Sequence, residues 1–205
     1  MFLSKAEKEI ISKKIEIFEE KSGAELVAVI SKRSTDYRYI QIFLNICAIF
    51  LISLIIVFFT SFSIMQLLQI QLFCFVSLFL LFEKFDNLIL YILPKNYKKE
   101  KAFQSAQKQF YNLGLHKTKT KQAIMFFVSL DEKYAEIITD SQISKKISND
   151  YWEKIIEDFI KDVRNSTLSN AYLNVIDSCS SILIEKFPIQ ENDENELPNE
   201  VIELR

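Results

Sequence analysis

Between Tyr39 and Phe82 the sequence contains no Asp, Glu, Lys, Arg or His. A transmembrane helix needs about 20 apolar residues to cross the hydrocarbon core of a bilayer. The uncharged stretch is long enough for two such helices and a tight turn, and the cores of water-soluble proteins do not remain uncharged over such a length. The sequence therefore predicts a membrane protein in which a two-helix transmembrane hairpin, residues 39–82, interrupts a charged chain.

The hairpin is predicted to consist of two spans, residues 40–59 and 64–82, joined by the uncharged turn 60–63. Basic residues flank it on both sides: Lys32, Arg33, Arg38, Lys84, Lys95, Lys98, Lys99 and Lys101. Basic flanks stay in the cytoplasm, whereas short uncharged loops cross the membrane readily. We therefore expect a multi-pass protein of the inner (cytoplasmic) membrane with both termini in the cytoplasm.

Several neutral polar residues lie within the predicted spans, among them Gln66, Gln69 and Gln71. They are consistent either with a polar pathway through the membrane or with hydrogen bonds between the two helices. Proton and ion transporters usually keep an ionisable residue in the membrane, and these spans contain none. The sequence therefore favours hydrogen bonding between the helices over transport.

The segments outside the hairpin contain enough residues for one small domain. The formal net charge is −2, so nothing in the composition favours nucleic acid as a partner. The predicted division is an N-terminal arm, the hairpin, an interfacial amphipathic helix with a basic linker, the remainder of the domain, and an acidic, disordered tail: residues 1–38, 39–82, 83–100, 101–188 and 189–205.

Two apolar runs, residues 24–31 and 123–130, are typical of buried strands. Residues 134–139 follow the second run after a short turn and predict a β-hairpin. A crossover between successive strands of one sheet makes those strands parallel, and here the crossover contains the membrane hairpin. Amphipathic helices are predicted before the first strand and after the third, so the fold class is α/β, with a mixed sheet and flanking helices.

The sequence contains SGAELV at residues 22–27, FYNLGLHKT at residues 110–118 and NELP at residues 195–198. In their order and spacing these segments resemble the bacterial membrane-protein branch of the TPM-domain family. Residues 22–27 (SGAELV) are similar to the family's first strand, and residues 110–118 (FYNLGLHKT) to its "F..LGL..T" segment. Trp152, Phe187-Pro188 and residues 195–198 (NELP) resemble later landmarks. The resemblance implies a compact TPM-like α/β module beside a membrane, with acid phosphatase activity and metal binding proposed for some members of the family.

Three carboxylates are candidate ligands for Ca²⁺ or Mg²⁺: Glu25, Asp140 and Asp150. Glu25 begins the first predicted strand and Asp140 follows the third, so the predicted topology places both at the same end of the sheet. Asp150 begins a predicted helix. Oxygen ligands suit these cations, and a bound cation can polarise a phosphate ester. The alternative is a solvated strand end, a turn residue and a helix cap.

Two classes of function follow from these features. The first, which we favour, is a membrane-anchored, non-catalytic interaction or assembly module whose partners are the lipid bilayer, other membrane proteins and a second copy of itself. The second is a divalent-metal-dependent phosphatase. The sequence shows no nucleophile paired with a base, and its two glycines rule out a Gly-rich phosphate loop.

Overall fold

The structure, a computed structural model, describes residues 2–85, 87–189 and 195–204. The chain divides into two units. We call Met1–Ser34 together with Lys99–Arg205 the sheet unit, and Thr35–Lys98 the hairpin unit.

The helices and strands of the described residues follow in chain order: α1 (Lys5–Glu19), β1 (Glu25–Ser31), α2 (Arg38–Phe59), α3 (Ile64–Lys84), α4 (Leu88–Ile92), α5 (Lys95–Asn112), β2 (Ala123–Ser129), β3 (Tyr134–Thr139), α6 (Ser141–Lys146), α7 (Asn149–Asn165), α8 (Leu168–Lys186) and β4 (Ile202–Leu204).

The sheet unit is built on a mixed sheet, whose strand order within the described residues is β3-β2-β1-β4. β1 and β2 are parallel, with Glu25 opposite Ala123 and Ser31 opposite Ser129. β2 and β3 are antiparallel, and β4 runs parallel to β1 on its other side. The predicted α/β fold with a mixed sheet is therefore confirmed. The pairing of β1 with β2 also joins residues from before and after the hairpin unit in one sheet.

One face of the sheet is covered by α1, α7 and α8. Its centre is an aromatic cluster in which the ring centroid of Phe126 lies 4.8 Å from that of Phe159 and 5.0 Å from that of Tyr172. The fully buried Tyr172 hydroxyl donates a hydrogen bond to the Val29 carbonyl oxygen, at 3.2 Å. Side chains alternate between the faces of a strand, so Val27 and Val29 belong to the second face.

The second face of the sheet packs against α5 and the C-terminal residues. Ala106 and Phe110 of α5 are buried there with Leu115. Leu197, Ile202 and Leu204, which are partly buried, complete this layer. We call residues 195–204 the C-terminal strap. The prediction of a disordered tail at 189–205 is therefore wrong for the strap, while residues 190–194 and 205 lie outside the described residues.

The hairpin unit contains α2 and α3, which are, among the described residues, the two helices long and apolar enough to cross a membrane. Two side-chain hydrogen bonds connect them. Gln71 Nε2 donates to Ser53 Oγ at 2.6 Å, and Asn45 Nδ2 donates to the Phe75 carbonyl oxygen at 3.4 Å. Part of the polarity of these two apolar helices thus serves hydrogen bonding between them. Gln66 instead belongs to a capping box at the start of α3.

The prediction for residues 83–100 needs correction. The amphipathic helix expected after the second span is only the five-residue α4, and α5 begins at Lys95 inside the expected basic linker. Ile89 and Leu90 are the buried residues of α4, and they pack with Tyr37. Phe85 and Ile92 are more than half exposed.

Candidate functional site

An acidic cleft lies where α1 ends, β1 begins and the strap crosses them. Its cavity has a volume of about 240 Å³. Carboxylates and amides dominate the lining: Glu16, Glu19, Glu20, Glu25, Asn195 and Asn199. The cleft thus brings the strap to the connection between α1 and β1, which is distant from it in the sequence.

The turn between α1 and β1 is held by the end of α8. Ser22 Oγ and the Gly23 amide both donate hydrogen bonds to the Phe187 carbonyl oxygen, at 3.0 and 2.9 Å. Ser22 Oγ also accepts a hydrogen bond from the Ala24 amide, at 3.1 Å. These contacts fix the direction in which the chain enters β1, and therefore fix the positions of Glu19 and Glu25 on either side of the turn.

Glu19 is a carboxyl of the cleft whose pKa is strongly raised. Its Oε1 accepts a hydrogen bond from the Leu26 amide at 2.9 Å, and its Oε2 accepts one from Asn195 Nδ2 at 3.3 Å. Burial raises the pKa of Glu19 to about 8, and the charges of Glu25 and Glu16 add to the increase, although the hydrogen bond from Leu26 opposes it. Glu19 therefore holds a proton at neutral pH.

Glu25 is buried and connects β1 to the strap. Its Oε1 accepts a hydrogen bond from the Glu196 amide at 2.7 Å. The Glu196 carboxylate in turn accepts a hydrogen bond from the Lys119 amide at 3.0 Å. The strap is thus hydrogen-bonded through its backbone to the side chain of Glu25, the first residue of β1.

The structure places the predicted metal ligands as follows. Glu25 and Asp140 share one row of the sheet, because Ala123 pairs with Glu25 and its carbonyl oxygen accepts a hydrogen bond from the Asp140 amide. Asp140 caps α6, and its buried Oδ2 has no hydrogen-bond partner among the described residues. Asp150 is exposed in the first turn of α7.

The register of the strands thus agrees with the prediction that Glu25 and Asp140 lie at the same end of the sheet. However, within residues 2–85, 87–189 and 195–204 no group of three or more His, Cys, Asp or Glu side chains is arranged to hold a metal ion. A site formed by Glu25, Asp140 and Asp150 stays a prediction, which titration of the protein with Ca²⁺ or Mg²⁺ would test.

A buried polar cluster lies at the other end of β1, where the sequence predicts only a short turn between the second and third strands. Glu132 accepts hydrogen bonds from Ser129 Oγ and from the Ser34 amide, and Ser34 Oγ donates to Ser129 Oγ at 2.8 Å. Arg33 Nε lies 2.9 Å from Asp131 Oδ2. This cluster ties the last residues of the N-terminal arm to the β2–β3 turn. No local pattern predicts it, because its partners are about 95 residues apart.

The raised pKa of Glu19 predicts a pH-dependent stability. The folded chain keeps the proton up to about pH 8, whereas the unfolded chain releases it near the ordinary value of 4.5. The folded state therefore binds more protons between these values, and its stability falls as the pH rises, by at most about 1.4 kcal/mol per pH unit. Glu19→Gln mimics the protonated carboxyl, so the variant should gain stability over the parent progressively from pH 6 to 8.

Thermal unfolding of the full chain, followed by the emission of its single tryptophan, Trp152, measures this difference. Glu20→Gln is the matched control, since Glu20 lines the cleft but is exposed, and it should leave the pH profile unchanged. Parallel profiles for Glu19→Gln and the parent would contradict the assignment of the proton to Glu19.

Together, the mixed sheet with its helical layers and the cleft beneath the strap define an α/β domain interrupted by a helical hairpin. Residues 84–182 match the family model described as the TPM domain. The match covers just under half of the chain and agrees with the resemblance of its motifs to the TPM-domain family. The residues that line the cleft lie outside the matched residues.

A solved structure supports the same fold. The chain is similar to the BA42 protein from the psychrophilic bacterium Bizionia argentinensis, whose structure was determined by NMR, with a TM-score of 0.62 and 16% sequence identity. The alignment covers 99% of this chain and 96% of that protein. At this identity the likeness concerns the fold alone. No curated protein matches the sequence.

Proposed function

We propose that this chain is a TPM domain anchored in a membrane by the α2–α3 hairpin, where it acts as a non-catalytic module that binds or assembles other membrane proteins. The observation that carries the anchoring is the exposure of the hairpin. Across Arg38–Phe59 and Ile64–Lys84, all of which the structure describes, only Asn45 is buried. Exposed apolar surface on this scale requires lipid or another protein to cover it.

The sheet limits how the chain can cross a membrane. β1 precedes the hairpin and β2 follows it, yet the two strands are hydrogen-bonded neighbours over seven residue pairs. Both must therefore lie on the same side of the membrane, and the intervening segment must cross an even number of times. Two spans satisfy this condition, and the basic residues on both flanks favour the cytoplasmic side. An inner-membrane protein with both termini in the cytoplasm follows as part of the proposal.

The non-catalytic role is supported by how the cleft carboxylates are engaged. Glu25 accepts a backbone hydrogen bond from the strap, and Glu19 is held neutral between the Leu26 amide and Asn195. Both carboxylates hold the polypeptide in place, and the described part of the chain supplies no cluster of three metal-binding side chains beside them. These features favour an interaction module over a metal-dependent phosphatase.

Cysteine labelling in intact cells tests the membrane topology. In a chain whose native Cys47, Cys74 and Cys179 are replaced by Ser, a Cys at position 61 in the turn should react with a membrane-impermeant maleimide added outside. Cys at the exposed positions 13 and 178 should react only after the membrane is opened. External labelling at position 13 or 178, with protection at position 61, would reverse the topology.

A further inference from the structure

The C-terminal strap contacts the domain as a bound peptide would. Its polar contacts join it to residues far away in the sequence: Glu196 to Glu25 and to Lys119, and Glu203 to the first residues of the chain. The separations in sequence range from 77 to 201 residues. The surface beneath the strap is therefore formed by residues that are not neighbours of the strap in the sequence.

The backbone of the strap adds a strand to the edge of the sheet. Ile202 pairs with Val29 and Leu204 with Ser31, in a parallel register. Beyond the pair, the Lys32 amide donates a hydrogen bond to the Leu204 carbonyl oxygen at 3.3 Å. Strand addition of this kind is a recurring mode of peptide recognition, in which main-chain hydrogen bonds give affinity and alternate side chains give specificity.

The side chains of the strap alternate between two environments. Ile202 and Leu204 pack on the second face of the sheet, whereas Val201 joins the core of the first face. Leu197 adds a further apolar contact on the second face. The surface beneath the strap thus accepts apolar side chains at four positions of an extended segment.

Glu203 supplies the charged contact of the strap. Its Oε1 accepts hydrogen bonds from the Phe2 and Leu3 amides at 3.4 and 3.3 Å, and its Oε2 lies 3.0 Å from Lys8 Nζ. The surface therefore offers two backbone donors and an ammonium group to a carboxylate. By contrast, Glu200 is exposed.

We propose that the surface beneath the strap is a peptide-binding groove and that the strap is its intramolecular ligand. Its partner is an extended segment of another protein that adds in parallel to β1, with apolar residues at the positions of Leu197, Val201, Ile202 and Leu204 and an acidic residue at the position of Glu203. This inference rests on the proposed role as an interaction module and names the class of partner for that role.

The covalent link makes the strap a strong competitor for its own groove. A segment tethered by a short linker has an effective concentration in the millimolar range. A free peptide of equal intrinsic affinity would therefore need a millimolar concentration to displace it. Cutting the chain between α8 and the strap should remove this advantage and open the groove to peptide added in solution.

The test uses the full chain in detergent micelles, with a protease site inserted between Ile189 and Asn195. The probe is a fluorescein-labelled synthetic peptide with the sequence of residues 195–205, NELPNEVIELR. After cleavage the peptide should exchange into the groove, and its apparent affinity should be at least about tenfold higher than for the uncut chain. Trp152 emission, measured before and after the cut, reports whether the domain stays folded.

Two peptide variants with the same change of charge provide the matched control. A peptide carrying Glu203→Lys should bind at least about tenfold more weakly than the parent peptide, because its ammonium group meets Lys8 and two backbone donors. A peptide carrying Glu200→Lys should bind nearly as well as the parent.

Three results would overturn the groove: no exchange into a cleaved, folded chain, equal loss of binding for the two peptide variants, or unfolding of the domain on cleavage. The last would make the strap an inseparable part of the fold. None of these results would alter the outcome of cysteine labelling, so failure of the groove and failure of the membrane anchor are distinguishable.

Discussion

A chain in which residues 35–98 are replaced by a flexible Gly/Ser linker is expected to leave the membrane fraction and remain folded in solution. The sheet unit keeps its own cores on both faces of the sheet, and the seven-residue register of β1 with β2 does not depend on the hairpin for its hydrogen bonds. The linker only has to reconnect Ser34 with Lys99. Nearly all of the protein should move from the membrane fraction to the soluble fraction, because the replaced segment contains both candidate membrane spans.

Cell fractionation followed by size-exclusion chromatography and circular dichroism of the soluble protein would measure this result. Fragments 1–34 and 99–205, expressed separately, form the control and should not fold independently, since β1 pairs with β2. If the linked protein stayed with the membrane, the hairpin would not be the anchor. If it were soluble but unfolded, the two arms would not form one independent domain.

The second large effect is expected from Phe126→Ala in the aromatic cluster. Phe126 is 1% exposed and contacts Phe159 and Tyr172 with edge-to-face geometry. Removing a buried phenylalanine ring leaves a cavity and typically costs about 3–5 kcal/mol. For a protein of this size the melting temperature should fall by roughly 10–15 °C.

Thermal unfolding of the full chain, read through Trp152 emission, isolates this effect, since the hairpin contains no tryptophan. Phe103→Ala on α5 is the matched control, because its side chain is 40% exposed, and it should lower the melting temperature by only a few degrees. Equal effects of the two substitutions would contradict the central position of Phe126 in the core.

Much of this fold could be predicted because the decisive signals are local. The two hairpin helices follow from the length of the uncharged stretch, and α2 and α3 begin and end within about two residues of the expected spans. The strands followed from apolar runs, and the parallel pairing of β1 with β2 followed from the crossover rule. The same reasoning placed Glu25 and Asp140 at one end of the sheet, as the register shows.

The cleft itself could be predicted only in part. The sequence drew attention to Glu25, but not to Glu19, which reads as one of several acidic residues at the end of a helix. Its raised pKa arises from burial and from the nearby charge of Glu25. Both causes depend on how α1 packs against β1, so no sequence pattern predicts them.

The sequence by itself determined the two helices long and apolar enough to cross a membrane, the α/β class and the resemblance to the TPM-domain family, because each depends on composition, on length or on short motifs. Only the tertiary structure decided the position of the strap. Half of its residues are Asn or Glu, and such a segment has too little apolar surface to order itself. It becomes ordered because its few apolar side chains and Glu203 meet partners provided by the opposite end of the chain. Contacts of that kind exist only once the sheet has formed.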